Sequence, residues 1–307
     1  MRHTIRRAAV TGLALLALLS APLAQAAALE VTTSFSILGD FVRQVGGERV
    51  AVKVLVGPNE DTHGYQARPS DARAIGKSGL VVANGLGFDD WIVRLAKSAG
   101  FRGKVVIASA NVRPLSMTHG EGHSSDDRDD GGTDPHAWQD VANAQRYVLN
   151  IADALVAADP AGAAAYRANA ERYSGQLKAL DAEIRAALGS LPASQRKVVS
   201  SHDAFGYFAR AYGIRFLAPV GVSNNAEPTA QGVAQLIRQV RAEKVPAVFL
   251  ENIADPRLIE RIRSESGARV GGTLYSDALS TADGAAPDYL AMMRHNLKQL
   301  LEALPPR

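Results

Sequence analysis

The stretch DPAGAAAYRANAERYSGQLKALDAEIRAAL, residues 159–188, decides how the rest of the chain is read. It is rich in Ala, Glu, Arg, Lys and Gln, and it contains no proline after Pro160. Asp159-Pro160 reads as a stop to what precedes it, followed by an N-cap and a first-turn proline. At 1.5 Å per residue, roughly 29 helical residues form a rod on the order of 40 Å, the length of a whole domain. Gly162 and Gly175 are its weak points, and two shorter helices broken at Gly175 are the competing reading. A rod of this length in mid-chain predicts a stiff connection between two bodies.

On either side, short β-rich runs alternate with helical patterns, which predicts parallel sheets covered by helices. Before the rod, strands are expected at Glu30–Ser34, Val50–Val56, Leu80–Ala83 and Lys104–Ala108, with helices near Ile37–Val45, Ser70–Lys77 and Asp89–Ser98. After it, strands fall near Arg196–Ser200, Arg215–Pro219, Ala247–Glu251 and Arg269–Leu274. The second set of helices lies near Ala204–Tyr212, Thr229–Glu243, Pro256–Ser266 and Pro287–Leu304. Asp140–Ala157 also reads as helix. The expected fold is α/β, with two lobes, each a four-stranded parallel sheet flanked by helices, joined by a long rigid helix. The boundaries follow as 27–158, 159–189 and 190–307.

Residues 1–26 carry the marks of a signal peptide. Arg2, Arg6 and Arg7 precede an apolar run too short to span a bilayer, and Ala24-Gln25-Ala26 matches a cleavage site. The 34 Lys and Arg exceed the 31 Asp and Glu by the three arginines of that leader, so the remaining chain is neutral. The basic pI therefore describes the leader, and no basic patch with interleaved aromatics points to nucleic acid. Cysteine is absent, which excludes thiolate metal ligands, disulfides and a lipid-modified cysteine. Ser116 to Gly132 is rich in Gly, Ser, Asp and His, and reads as a mobile surface loop within the first lobe.

Chemistry concentrates in a few histidines. His63 follows the strand ending at Val56, His136 sits in Asp134-Pro135-His136-Ala137-Trp138, and His202 stands at a strand-to-helix turn. Asp277 occupies the equivalent place after the last strand. Ligands of open α/β sheets bind beyond the carboxyl ends of strands. Three imidazoles and a carboxylate suit Zn2+ in four-fold coordination, with two donors from each lobe. Each histidine alone would more often be a hydrogen-bonded polar residue than a ligand. Spacing across more than 200 residues does not decide between these readings.

The segments around these residues resemble the metal-specific solute-binding proteins of bacterial ABC importers, which take up zinc, manganese or iron. Thr62-His63-Gly64-Tyr65 leading to Pro69-Ser70-Asp71 is similar to the first ligand segment of that family. Asp134-Pro135-His136-Ala137-Trp138 resembles the second, and His202-Asp203-Ala204-Phe205-Gly206-Tyr207-Phe208 the third. The stretch from Glu251 through Asp255-Pro256-Arg257 to Gly272-Thr273-Leu274-Tyr275-Ser276-Asp277 resembles the fourth. The resemblance covers the chain after the leader and implies a metal held between the lobes by His63, His136, His202 and Asp277. It further implies a periplasmic location and a cognate ABC permease in the inner membrane as partner.

Manganese-selective relatives tend to carry Glu where this chain has His202, so nitrogen in place of a hard oxygen favours Zn2+ over the alternative Mn2+ or iron. Deprotonated imidazoles are required, so affinity is expected to fall as pH drops through about 6. His119 and His123, in the 116–132 loop, are candidates for weak zinc capture or for acceptance from a periplasmic metal chaperone; a solvated loop without a role is the alternative. A monomer is expected. Four protein donors leave no open position for a substrate, which weighs against a periplasmic zinc hydrolase. A clamshell binder of an organic solute fits poorly with the rigid linking helix. Trp138 and His295 read as packing and surface residues, and Glu251 as a hydrogen-bond acceptor behind a ligand imidazole.

Overall fold

A computed structural model of the chain describes residues 27–116, 132–221 and 228–304. The 1–26 leader and nearly all of the 116–132 loop, with His119 and His123, lie outside the described residues. Two four-stranded sheets, every pairing parallel, account for the strands. The first contains β1 (Leu29–Phe35), β2 (Val50–Val56), β3 (Leu80–Ala83) and β4 (Lys104–Ile107) in the order β2-β1-β3-β4. The second contains β5 (Lys197–Val199), β6 (Arg215–Leu217), β7 (Ala247–Glu251) and β8 (Arg269–Leu274) in the order β6-β5-β7-β8. The same permutation therefore occurs twice.

Helices α1 (Ser36–Gly46), α2 (Pro69–Lys77), α3 (Asp90–Ser98) and α4 (Val141–Ala158) accompany the first sheet. Helix α5 runs from Ala163 to Gly189. The second sheet carries α6 (Gly206–Tyr212), α7 (Ala230–Ala242), α8 (Pro256–Ser266) and α9 (Tyr289–Ala303). Side-chain oxygens set several of these starts. Thr229 accepts from Gly232 N at 3.0 Å, and Asp288 accepts from Ala291 N at 2.8 Å, each satisfying an amide of the first turn.

The linking rod is one continuous helix of 27 residues, on the order of 40 Å long. It passes through Gly175 without a break and starts three residues later than the proline suggests, because Pro160–Gly162 forms a 3-10 turn first. Tyr166, Ala170, Tyr173, Leu177, Leu180, Ile184 and Leu188 are buried at three- and four-residue spacing, giving one apolar stripe along the helix. That stripe lies on α1 and α4 of the first lobe and on α6 and α9 of the second. Polar braces add to it: Asn169 Nδ2 donates to Val45 O at 2.9 Å, and Tyr212 OH donates to Asp181 at 2.9 Å.

One apolar core runs through both lobes, including Phe35, Phe41, Trp138, Tyr147, Tyr173, Phe208, Tyr289 and Met293. Smaller clusters fill the outer face of each sheet. Interiors packed in this way resist continuous deformation. Among the described residues no helix is long and apolar enough to cross a membrane.

Candidate metal centre

His63, His136, His202 and Asp277 each follow the carboxyl end of a strand: β2, β4, β5 and β8 respectively. In the strand orders above, the connections leave in opposite directions at β1/β3 and again at β5/β7, which opens a crevice at the strand ends of each sheet. The two crevices face each other.

An Asp two positions ahead shapes each histidine segment of the first lobe. Asp61 Oδ1 accepts from His63 N at 2.8 Å, and Asp134 Oδ1 accepts from His136 N at 2.9 Å. These side-chain turns fix the backbone that presents the imidazole. Tyr65 OH and Arg68 N both donate to Asp71 Oδ2, at 2.8 and 2.7 Å, which ties the first histidine loop to the start of α2. A Cβ on Gly206 would lie 2.5 Å from Asp134 Oδ2, so only glycine admits the Asp134 carboxylate beside α6. In the second lobe, Glu251 Oε1 accepts from Ser201 N at 2.7 Å and His202 N at 3.0 Å. Asn296 accepts from Tyr275 N at 2.9 Å and donates to Tyr275 O at 2.7 Å, holding the approach to Asp277.

These loops bring four donors together. His63 Nε2 and His202 Nε2 lie 3.2 and 3.1 Å from Asp277 Oδ2, and His136 Nε2 lies 3.5 Å from Asp277 Oδ1. His136 Nε2 is 3.4 Å from His63 Nε2, and one donor atom from each of the four residues lies within 4.8 Å of the others. A tetrahedral ion bound at about 2.05 Å would space its donors about 3.3 Å apart, so the set could hold a metal ion with small adjustments. His136, His202 and Asp277 are fully buried, and the His63 side chain is 7% exposed.

Outward-facing partners orient the rings. His136 Nδ1 meets Asp134 Oδ1 at 2.8 Å, which directs Nε2 toward the common point. His202 Nδ1 lies 2.8 Å from Glu251 Oε2, although neither atom has a well-aligned hydrogen-bond partner. Aromatic edges close the wall: Phe88 stands 4.7 Å from the His63 ring and 4.8 Å from Trp138, between centroids.

Charge in the site is concentrated. Burial alone would raise the Asp277 carboxyl, but His136 and His202 outweigh it and hold the group well below the usual carboxylate range. Burial opposes charge on His136 too, yet Asp277 and Asp134 overcome this and push the imidazole up to about 9. For His202 burial is outweighed by Glu251 and Asp277, which lift it well above the ordinary value. Asp277 Oδ1 is buried without a hydrogen-bond partner. A buried carboxylate oxygen left in that state is costly unless a cation faces it.

Thus the four residues singled out in the sequence meet at one point. Sequence reading assigned no role to Asp134 or Asp61, although the repeated Asp-x-His pattern signals both. It also placed His295 on the surface, whereas the ring is partly buried, bonds Thr273 O at 2.9 Å and stacks edge-on against Tyr275.

The fold and site define a two-lobed binding protein with a buried donor set in its cleft. Residues 31–303 match the family profile described as ZnuA, zinc-uptake complex component A periplasmic, and the chain belongs to that family. Its members are periplasmic or extracytoplasmic metal-binding proteins of ABC importers and are not enzymes. The manganese-binding lipoprotein MntA of Halalkalibacterium halodurans is 33% identical, over 90% of this chain and 88% of its own. The iron-binding protein YfeA of Yersinia pestis is 34% identical, over 86% and 82%. The solved structure of the periplasmic zinc-binding protein TroA from Treponema pallidum has a TM-score of 0.81 at 29% identity, covering 91% of this chain and all of that one.

Proposed function

We propose that this chain carries one Zn2+ at His63, His136, His202 and Asp277, between lobes formed by residues 27–158 and 190–307, and hands it to the permease of an ABC importer. The donor set supports the reading: three imidazole nitrogens and one carboxylate, closely spaced and buried. Three nitrogens suit zinc better than hard, oxygen-preferring ions. Relatives named for manganese and iron keep a second reading, in which the same site carries either of those metals.

Competition between Zn2+ and Mn2+ for the metal-free chain, repeated on His202→Glu, tests the choice. Zinc should win by at least a hundredfold on the unaltered chain, and the substitution should shrink that margin at least tenfold. Equal affinities on the unaltered chain would refute the zinc assignment while leaving the site intact.

A further inference from the structure

Behind the four donors lies a cross-lobe contact that uses none of the donor atoms. The carbonyl of Ser276, immediately before Asp277, accepts two hydrogen bonds from the opposite lobe: Trp138 Nε1 donates at 2.9 Å and Gln139 Nε2 at 2.7 Å. Both donors belong to the 3-10 turn Ala137–Gln139, which begins immediately after His136. Trp138, Gln139 and Ser276 are completely buried. The turn is held from the second lobe in return, because Tyr289 OH donates to Trp138 O at 2.6 Å.

Gln139 is an expensive side chain for this place. Its Oε1 is buried with no hydrogen-bond partner, and an apolar residue of the same size would avoid that cost. What Gln139 gains is the bond to Ser276 O. The opposite lobe thus grips the peptide that leads into Asp277, while Asn296 grips Tyr275 from α9. On the far side of Asp277, Asn252 Nδ2 donates to Ala278 O at 3.3 Å. Downstream, Leu279 N donates to Ser36 Oγ and Leu279 O accepts from Asn59 N, both at 2.9 Å.

We propose that Gln139, with Trp138, is a positioning residue for the fourth donor: by fixing the Ser276 carbonyl it holds Asp277 at bonding distance, and so couples the second donor segment to the fourth across the lobes. The coupling rests on the metal-carrier reading above. It makes departure of Asp277 the slow event in metal release, since the carboxylate leaves only when the grip on Ser276 opens. Losing one buried donor to a neutral carbonyl should raise the dissociation rate by roughly 3- to 10-fold, with the association rate unchanged.

A double-substitution cycle on the full chain tests this, using Zn2+ and a chelating dye as competitor. Gln139→Leu should speed zinc dissociation 3- to 10-fold in the otherwise unaltered chain, yet change it less than 1.5-fold in an Asp277→Ala background, which has no fourth donor left to position. The Co2+-loaded Gln139→Leu chain should also show an altered visible absorption band, reporting a changed oxygen ligand. Trp138→Phe, which keeps the ring packing but removes the N–H, provides a second variant if the first folds poorly. An equal effect in both backgrounds, or none in either, overturns the proposal. If the unaltered chain binds no Zn2+ or Co2+, the carrier reading itself fails.

Discussion

Consider the site as pH is lowered. Metal binds deprotonated imidazole, so a histidine held near 9 must lose a proton before it can serve as a ligand at neutral pH. From pH 9 to pH 6 such a group reduces apparent affinity about 500-fold, against about 4-fold for a histidine at an ordinary value near 6.5. His202 is shifted in the same direction and steepens the dependence. The physical sources are buried carboxylates, Asp277 and Asp134 at His136 and Glu251 and Asp277 at His202: their charge outweighs burial and stabilises the imidazolium forms when no metal is bound, and the metal takes their place. The fall in affinity thus begins two to three pH units above the point near 6 that isolated imidazoles suggest. Competition with a chelator of known proton affinity at pH 6, 7, 8 and 9 measures the slope. Calorimetry in two buffers of different ionisation enthalpy counts the protons released. At least one proton should leave per Zn2+ bound at pH 7.5, with affinity still rising above pH 8. An affinity that changes less than tenfold between pH 6 and 9, with no proton released at pH 7.5, would refute the electrostatic reasoning.

Other outcomes follow from the same structure. In the metal-free chain, a His136 value above its unfolded one stabilises the fold fully below pH 6.5, and this is lost as pH rises through about 9. The contribution is about 3 kcal/mol, so thermal denaturation with chelator present should show a falling midpoint from pH 6.5 to 9.5. A flat midpoint would contradict the shift. The gain in midpoint on adding Zn2+ should grow over the same interval, because proton competition weakens. Gly175→Ala in α5 should stabilise the chain by about 0.5–1 kcal/mol in chemical denaturation, since a Cβ there meets nothing within 4 Å. A loss of stability would show that the helix needs flexibility at that point.

The strands were legible in the sequence because the inner strands of a parallel sheet covered on both faces read as short, nearly continuous apolar runs, and LVVA and AVFLE are such runs. Helix α5 was legible from its composition, and its apolar stripe, packed on helices of both lobes, accompanies it through Gly175 without a break. Its start was not, because Asp159 bonds Arg49 and Tyr166 rather than capping the helix. The four site residues stood out as rare chemistry at strand ends, but their convergence depends on a fold that no local pattern encodes. Trp138 was read as a packing residue and does pack; its bond to Ser276 O depends on a partner 138 residues away. Gln139 gave no sequence signal, since a buried glutamine looks like any polar residue before a helix. Glu251 was anticipated behind a ligand imidazole and lies beside His202, where its other oxygen also holds two backbone amides.

A carrier built on this site encloses a single ion in three imidazoles and one carboxylate drawn from both lobes. X-ray absorption at the zinc edge, on protein loaded with one equivalent of Zn2+, examines that shell directly. The spectrum should show three histidine ring-scattering patterns at about 2.0–2.1 Å with one or two carboxylate oxygens, and the loss of one ring in His136→Ala. A shell with fewer than two imidazoles, or one that His136→Ala leaves unchanged, would contradict it.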